Sequence, residues 1–161
     1  MALVSAIPLG VPLLIVFGVV AGMLATRVMD VVMARLPEGE TPPFVAAGVL
    51  TEQSPDTAPD RLAAVVHHVA GWLTGPLYVT MLLLVGGVLR DATLAYVVTT
   101  LVVLVLMVGF FALVVLSRVE LARQRVRTIT RDWAVSAAAY LLVLVPLVVA
   151  GVRLFEGVVR V

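Results

Sequence analysis

Four long apolar stretches separated by shorter polar segments dominate the chain. The first runs from about Ile7 to Ala25 and continues as a helical pattern to Leu36, where Pro37 ends it. A bilayer core about 30 Å thick needs roughly 20 apolar residues per helix. No basic residue precedes the stretch and no convincing cleavage site follows it, which disfavours a signal peptide. We therefore predict a permanent transmembrane helix at about residues 7–36.

Three further apolar stretches predict helices at about residues 58–89, 92–116 and 132–155. Thr57 and Asp60 have the spacing of a capping box, which marks the start of the second helix. All four stretches are long enough to cross a bilayer. The expected fold is therefore all-α, a four-transmembrane-helix bundle that forms a single transmembrane domain over residues 1–161.

The polar segment 37–57 is the one long connection between the predicted spans, and a short apolar run interrupts it. Thr41 followed by Pro42 is typical of a helix start. The run is too short to cross the bilayer, so the pattern favours a short interfacial helix at residues 42–51.

The composition fits a protein whose main solvent is lipid. Hydrophobic residues make up 62% of the chain and charged residues 13%, and the mean hydropathy is +1.16. These values lie outside the usual range of soluble domains. Cysteine is absent, which excludes disulfides and thiolate chemistry. A net charge of +1 gives no reason to expect nucleic acid as a partner, and the use of Arg without Lys suggests a halophilic or high-GC source.

The distribution of arginines predicts the orientation in the membrane. Eight of the eleven basic residues lie beside the two longer polar connections. The positive-inside rule therefore places segments 37–57 and 117–131 in the cytoplasm and both termini outside, in a multi-pass protein of the cell membrane. An anionic-lipid or nucleic-acid patch is the alternative explanation for the third connection. Under the positive-inside rule, the arginines of the third connection are topology anchors: Arg118, Arg123, Arg125, Arg127 and Arg131.

Several polar residues are predicted to lie at a common depth near the cytoplasmic boundary. Asp30 is expected to be paired there, with Arg27 three residues away or with a neighbouring helix. One hypothesis is a site in which Asp30 and a histidine exchange protons or hold a cation. The other is a structural layer of salt bridges and hydrogen bonds that fixes helix register. The candidate residues are Arg27, Asp30, His67, His68, Glu120 and Asp132.

The two histidines also raise the question of a cofactor. Neighbouring residues on a helix point about 100° apart, so His67 and His68 cannot both ligate one haem iron from within this chain. A metal held by a histidine with Asp30 and Glu120 has no recognised ligand spacing. No cofactor is predicted, with haem or a metal kept as an alternative.

Small residues recur every four positions on two of the predicted helices. Gly18, Gly22 and Thr26 lie on one face of the first helix, and Gly71 and Gly75 lie on one face of the second. Such patterns allow close approach of helix backbones. We expect packing within the bundle, with a homodimer seam as the alternative.

The sequence from Gly22 to Asp30 reads G-x-x-A-T-x-x-M-D, and His67 lies near the start of the next predicted helix. This pattern resembles that of small uncharacterised four-helix integral membrane proteins. The resemblance implies a four-span bundle in which Asp30 faces His67 or His68. It implies no activity.

No catalytic serine motif, phosphate-binding glycine loop or paired intramembrane carboxylates can be found, so the chain is more in keeping with a non-enzymatic protein. The leading hypothesis is an accessory or structural subunit of a membrane complex, or a homo-oligomer, with lipid and other membrane subunits as partners. The alternative is a proton or ion conduit, or a small-solute transporter, that uses Asp30 and His67 or His68. A haem- or metal-binding redox subunit is the second alternative.

Overall fold

The protein is described by a computed structural model that covers residues 10–89 and 91–159, with side chains up to Phe155. The predicted start of the first helix at Ile7 lies outside the described residues. Within them all regular secondary structure is helical, and four helices are long and apolar enough to cross a membrane, which confirms this part of the predicted fold. The helices are α1 Gly10–Met33, α2 Thr41–Thr51, α3 Asp60–Leu89, α4 Ala92–Phe110 and α5 Arg123–Val159.

The four long helices pack side by side in a ring. Helix α1 packs against α3 and α5, and α4 packs against the same two helices from the opposite side. The shared core is apolar and is centred on large buried side chains such as Met29, Tyr78, Tyr140 and Leu144. Because consecutive long helices are neighbours, this order needs only short connections.

Helices α1 and α3 approach each other through their small residues. A Cβ atom on Gly18 would lie 3.0 Å from the backbone nitrogen of Pro76, and one on Gly22 would lie 2.9 Å from the carbonyl oxygen of Gly71. Gly71 in turn contacts the side chain of Thr26, and Gly75 contacts the Gly18 backbone. The small-residue faces of both helices are therefore used within the chain.

Helix α2 lies at the end of the bundle where α1, α3 and α5 carry their polar residues. Its start at Thr41, with Pro42 in the first turn, follows the expected pattern. Val45 is fully buried against an apolar group that includes Phe111 and Ile129. Glu52 caps the helix in the left-handed conformation, with φ of 55°. Helix α2 is therefore packed onto the bundle through one of its faces.

The third predicted span does not continue as a regular helix to residue 116. Helix α4 ends at Phe110 and is followed by a π-helical turn, Phe111–Val115, and a 3₁₀ turn, Leu116–Arg118. The indole Nε1–H of Trp133 donates to the carbonyl oxygen of Met107 at 3.1 Å, and the Trp133 and Phe111 rings lie 5.1 Å apart. This packing against α5 therefore engages both the backbone and the side chains of α4 where the helix geometry changes.

The fourth predicted span begins earlier than expected, at Arg123 rather than near Asp132. The charged residues before Asp132 do not prevent a helix, because apolar residues share one of its faces. Val126, Ile129 and Trp133 follow each other at three- and four-residue spacing and pack against α2 and the turns after α4. Arg123 and its neighbours remain on the exposed side.

The outward surface of the ring is apolar, as expected for contact with lipid. Val105, Leu113 and Leu142 are 68%, 77% and 75% exposed. Helix α4 with its following turns has the smallest buried share of the four candidate spans, 17%.

Candidate functional site

A carboxylate and two imidazoles meet where α1 and α3 face each other near α2. The His67 Nε2 atom lies 2.6 Å from the Asp30 Oδ1 atom, and the His68 Nε2 atom lies 3.7 Å from Asp30 Oδ2. Asp30 is one turn beyond Thr26, at the end of the small-residue face of α1. The close α1–α3 contact therefore brings the carboxylate within reach of the histidines.

The two histidines differ in their surroundings. The His67 side chain is 8% exposed and the His68 side chain 27%. His68 Nδ1 donates to the carbonyl oxygen of Ala64 at 2.8 Å, and its ring lies edge-on to Trp72. His67 has Asp30 as its partner, and its Nδ1 makes no hydrogen bond to any of the described residues. The better-buried His67 therefore keeps its Nδ1 available for a ligand.

His67 separates two cavities of different chemistry. An open cleft of about 290 Å³ on the α2 side is lined by His67 together with the carboxylates of Asp30, Glu40 and Asp60. A second cavity of about 220 Å³ is almost entirely apolar. It is lined mainly by α3, α4 with the turn that follows it, and α5, with further residues from α1 and α2. His67 also lines this second cavity. One imidazole thus contacts both an acidic and an apolar space.

Hydroxyl groups continue from this site toward the far end of the bundle. Tyr140 donates to the Gly71 carbonyl at 2.6 Å, one turn beyond His67, and the Thr26 hydroxyl lies at the same level. Farther along α3, the Tyr78 hydroxyl lies 2.9 Å from that of Thr100. Buried polar atoms normally have partners. The buried Thr99 Oγ1 atom has none within the described residues.

A second polar cluster joins α5 to the connection between α1 and α3. Arg125 Nε donates to Glu38 at 2.9 Å, and its two terminal nitrogens donate to the two oxygens of Asp56 at 3.2 and 3.0 Å. The fully buried Asp132 accepts the Glu38 backbone N–H at 2.9 Å and pairs with Arg131. These contacts hold both ends of the connection against α5.

The charge of Arg125 changes the acidity of its partner. Hydrogen bonds from the guanidinium, and its positive charge, lower the pKa of Asp56 below its ordinary value of 3.8. Asp56 therefore stays ionised to a lower pH than a free aspartate.

The predicted layer of polar residues divides into separate groups. Asp30, His67 and His68 come together, whereas Asp132 belongs to the cluster around Arg125. Arg27 is exposed and has no ion pair in the described part of the chain. Of the two partners expected for Asp30, Arg27 or a neighbouring helix, the structure shows the second, through His67. Glu120 lines a different cleft, beside Arg118.

The predicted topology anchors also differ among themselves. Arg118, Arg123 and Arg127 are exposed, as a lipid headgroup or water contact requires. Arg125 is instead the centre of the second cluster, and Arg131 is exposed but paired with Asp132. Sequence reasoning missed Glu38, Glu40 and Asp56 as site residues. Their acidic side chains in a proline-rich segment were the available signal.

The candidate site offers few ligands for a metal ion. Across the residues that the structure describes, no group of three or more histidine and acidic side chains is arranged to hold one. Glu120 does not join Asp30 and the histidines, so the ligand set considered from the sequence is not assembled.

Known proteins provide no further guide to this site. Comparisons of the chain with protein-family models, with curated proteins and with solved structures find no match.

Proposed function

We propose that the chain is an integral membrane protein that crosses the bilayer four times. Support comes from the four long apolar helices and from the apolar outward surface of the ring. The positive-inside rule, applied to the exposed arginines near α2 and at the start of α5, puts this end of the bundle in the cytoplasm. The termini then lie outside.

We propose that this protein moves protons, alone or together with a small solute, through the site formed by Asp30, His67 and His68. The observation that carries the proposal is the 2.6 Å contact between Asp30 and His67, at the point where His67 lines both the acidic cleft and the apolar cavity. Imidazole is the side chain whose charge changes near neutral pH. Ionisable groups inside membrane helices commonly mark proton or ion pathways.

Polar groups on both sides of the pair support the proposed route. Asp60 and Glu40 lie in the cleft, where carboxylates attract protons and other cations. On the inner side, the hydroxyls of Thr26 and Tyr140 lie at the level of Gly71, and that of Tyr78 lies farther along α3. Hydroxyl groups both donate and accept hydrogen bonds, so with intervening water they can relay a proton.

Proton entry into sealed vesicles tests this function. The purified protein is reconstituted with a pH-sensitive dye inside, and a potassium diffusion potential drives protons inward. The wild type is expected to acidify the lumen faster than empty vesicles. His67→Gln and Asp30→Asn are expected to reduce the rate to that of empty vesicles, because each removes one half of the proton-binding pair.

Arg27→Gln is the matched control, because Arg27 lies on α1 near Asp30 but makes no ion pair within the described residues. Its rate is expected to equal that of the wild type. Equal rates for wild-type and empty vesicles would contradict the proposal. So would unchanged rates in the Asp30→Asn and His67→Gln proteins.

A further inference from the structure

The apolar cavity beside His67 is rich in aromatic walls. Phe110, Phe111 and Trp133 bring three aromatic rings to it, and Pro42 covers it from α2. Its polar groups include the His67 imidazole and the Tyr140 hydroxyl. Binding sites for small molecules typically combine apolar walls with a few polar groups in this way.

The cavity volume sets the size of a ligand. A cavity of about 150 Å³ lined by apolar side chains accommodates benzene. The cavity here, at about 220 Å³, accommodates one six-membered ring with small substituents. Flat aromatic walls favour a flat ligand, because rings stack offset or edge to face.

The polar groups set the chemistry of that ring. Asp30 occupies Nε2 of His67 at 2.6 Å, which leaves Nδ1 without a partner among the described residues. A neutral ligand with a hydroxyl can donate to this nitrogen, and a carbonyl can accept from it when the imidazole is protonated. A carboxylate ligand is disfavoured, because the negative charge of Asp30 is already beside the imidazole.

The position of the opening indicates where the ligand comes from. Ala70 on α3 and Phe110 on α4 both line the cavity and are both exposed on the apolar outer surface of the ring. The π-helical turn begins directly after Phe110, and such turns frequently occur at functional sites. A tail attached to the bound ring can therefore extend between α3 and α4 into lipid.

From these observations we propose that the cavity binds the ring of a bilayer-soluble phenol or quinone, with its oxygen at His67 and its tail in the membrane. This proposal rests on the proposed function, because it names the class of small solute that would exchange a proton with His67. It adds a binding site that the proton pathway alone does not require.

Quenching of tryptophan fluorescence tests this proposal. The chain has two tryptophans, so Trp72→Phe leaves Trp133, which lines the cavity, as the sole emitter. Decylubiquinone is titrated into this protein in lipid nanodiscs, and saturable quenching is expected. Decanol, which has the tail without the ring, is expected to cause no saturable change.

Ala70→Phe in the same background is expected to abolish the saturable quenching, because the new ring fills the opening. The matched control is Val69→Phe, since Val69 is 44% exposed on the same helix and does not line the cavity. It is expected to bind like the parent protein. Ala46→Phe approaches the cavity from α2 and serves as a second blocking variant if Ala70→Phe fails to fold. His67→Gln is expected to weaken binding about tenfold, the equivalent of one hydrogen bond of about 1.4 kcal/mol.

Quenching that rises linearly without saturation, or saturable quenching that survives in both blocking variants, overturns the proposal. The result is independent of the vesicle experiment. Saturable binding without proton entry keeps the ligand site and removes the proton-moving function. Proton entry without saturable binding keeps that function and removes the ligand site.

Discussion

Arg125 illustrates how a single side chain can connect parts of the chain that are distant in sequence. It binds Glu38 and Asp56, which flank α2 on its two sides. The pair of hydrogen bonds to Asp56 has the parallel geometry that makes arginine–carboxylate contacts specific. Arg125 therefore fixes the α1–α3 connection, whereas Arg123 and Arg127 in the same helix are exposed.

The contact with Arg125 predicts a dependence of stability on pH. Because the pKa of Asp56 is lowered in the folded protein, its stabilising contribution is complete above the ordinary value of 3.8 and is lost as the pH falls through the lowered pKa. Asp56→Asn is expected to be less stable than the wild type at neutral pH, with a difference that shrinks in acid. Thermal unfolding in detergent from neutral pH to below 3.8 measures this. Glu52→Gln, at an exposed residue, is the control, and a difference that stays constant with pH contradicts the prediction.

Asp132 gives a second prediction at the scale of the residue. Its fully buried carboxylate accepts the Glu38 N–H and the Arg131 guanidinium. Asp132→Ala is expected to lower the free energy of unfolding by about 1–3 kcal/mol, because the donors lose their partner. Glu120→Ala, at an exposed carboxylate, is expected to change it by less than about 0.5 kcal/mol. Denaturant unfolding of the two variants checks both values, and equal effects would contradict the assigned role of Asp132.

Individual contacts were the least predictable part of this protein. The depth of Asp30 and His67 in the bundle could be estimated by counting residues along helices. Their 2.6 Å contact depends also on the rotation of α1 against α3, which a single sequence does not specify. The partners of Arg125 are separated from it by 87 and 69 positions, so no local pattern indicates them.

At the scale of elements, the contact between α1 and α3 leaves almost no space for larger side chains at its glycines. A Cβ atom on Gly75 would overlap the Gly18 backbone, whereas one on Gly87, in the same helix, would meet nothing within 4 Å. The two glycines therefore allow the same substitution to be compared in opposite surroundings.

Gly75→Ala is expected to destabilise the protein by about 1–3 kcal/mol, because the helices must move apart. Gly87→Ala is expected to stabilise it by about 0.5–1 kcal/mol, because alanine loses less backbone entropy in a helix. Thermal unfolding in the same detergent compares them. Similar unfolding temperatures for the two variants would show that the close contact is not important for stability.

The elements themselves were largely predictable, since spans follow from apolar length and α2 begins at its Thr-Pro signal. The start of α5 was not predictable by the same rule. Its first turns carry Arg123, Arg125 and Arg127, and such charged residues predict the end of a membrane span rather than a continuing helix. What makes this segment helical is the apolar face of Val126 and Ile129, whose packing partners come from α2 and from the turns after α4.

For the whole molecule, the positions of the helix ends predict which single-cysteine variants can be labelled from the same side of the membrane. The connections that contain Ser54 and Ser117 lie at the same end of the bundle, because α2 contacts both α5 and the turns after α4. Thr93 lies in the first turn of α4, at the other end. The chain has no cysteine, so single substitutions can be labelled without background.

Ser54→Cys and Ser117→Cys are expected to react with a membrane-impermeant maleimide from the same side, and Thr93→Cys from the opposite side. The positive-inside rule assigns the first two to the cytoplasm. Labelling of inverted and right-side-out vesicles determines both points. Reaction of Ser54→Cys and Ser117→Cys from opposite sides would contradict four spans in this order.

An accessory subunit or a homo-oligomer stays a prediction at this scale. One sequence feature that favours such self-association is the small-residue face of each helix. In the structure these faces pack against each other between α1 and α3. Mass measurement in mild detergent is the experiment for it, with a lone monomer as the contradicting result.

The order of the helices around the ring has a consequence for biosynthesis. Asp30 and His67 lie on α1 and α3, which leave the ribosome before the rest of the chain. An early hairpin of these two helices can therefore insert with its carboxylate already beside an imidazole, so that the charge of Asp30 is paired at the edge of the bilayer from the start. Phe111 and Trp133 are synthesised later, so the apolar cavity beside His67 is complete only when α5 has been inserted.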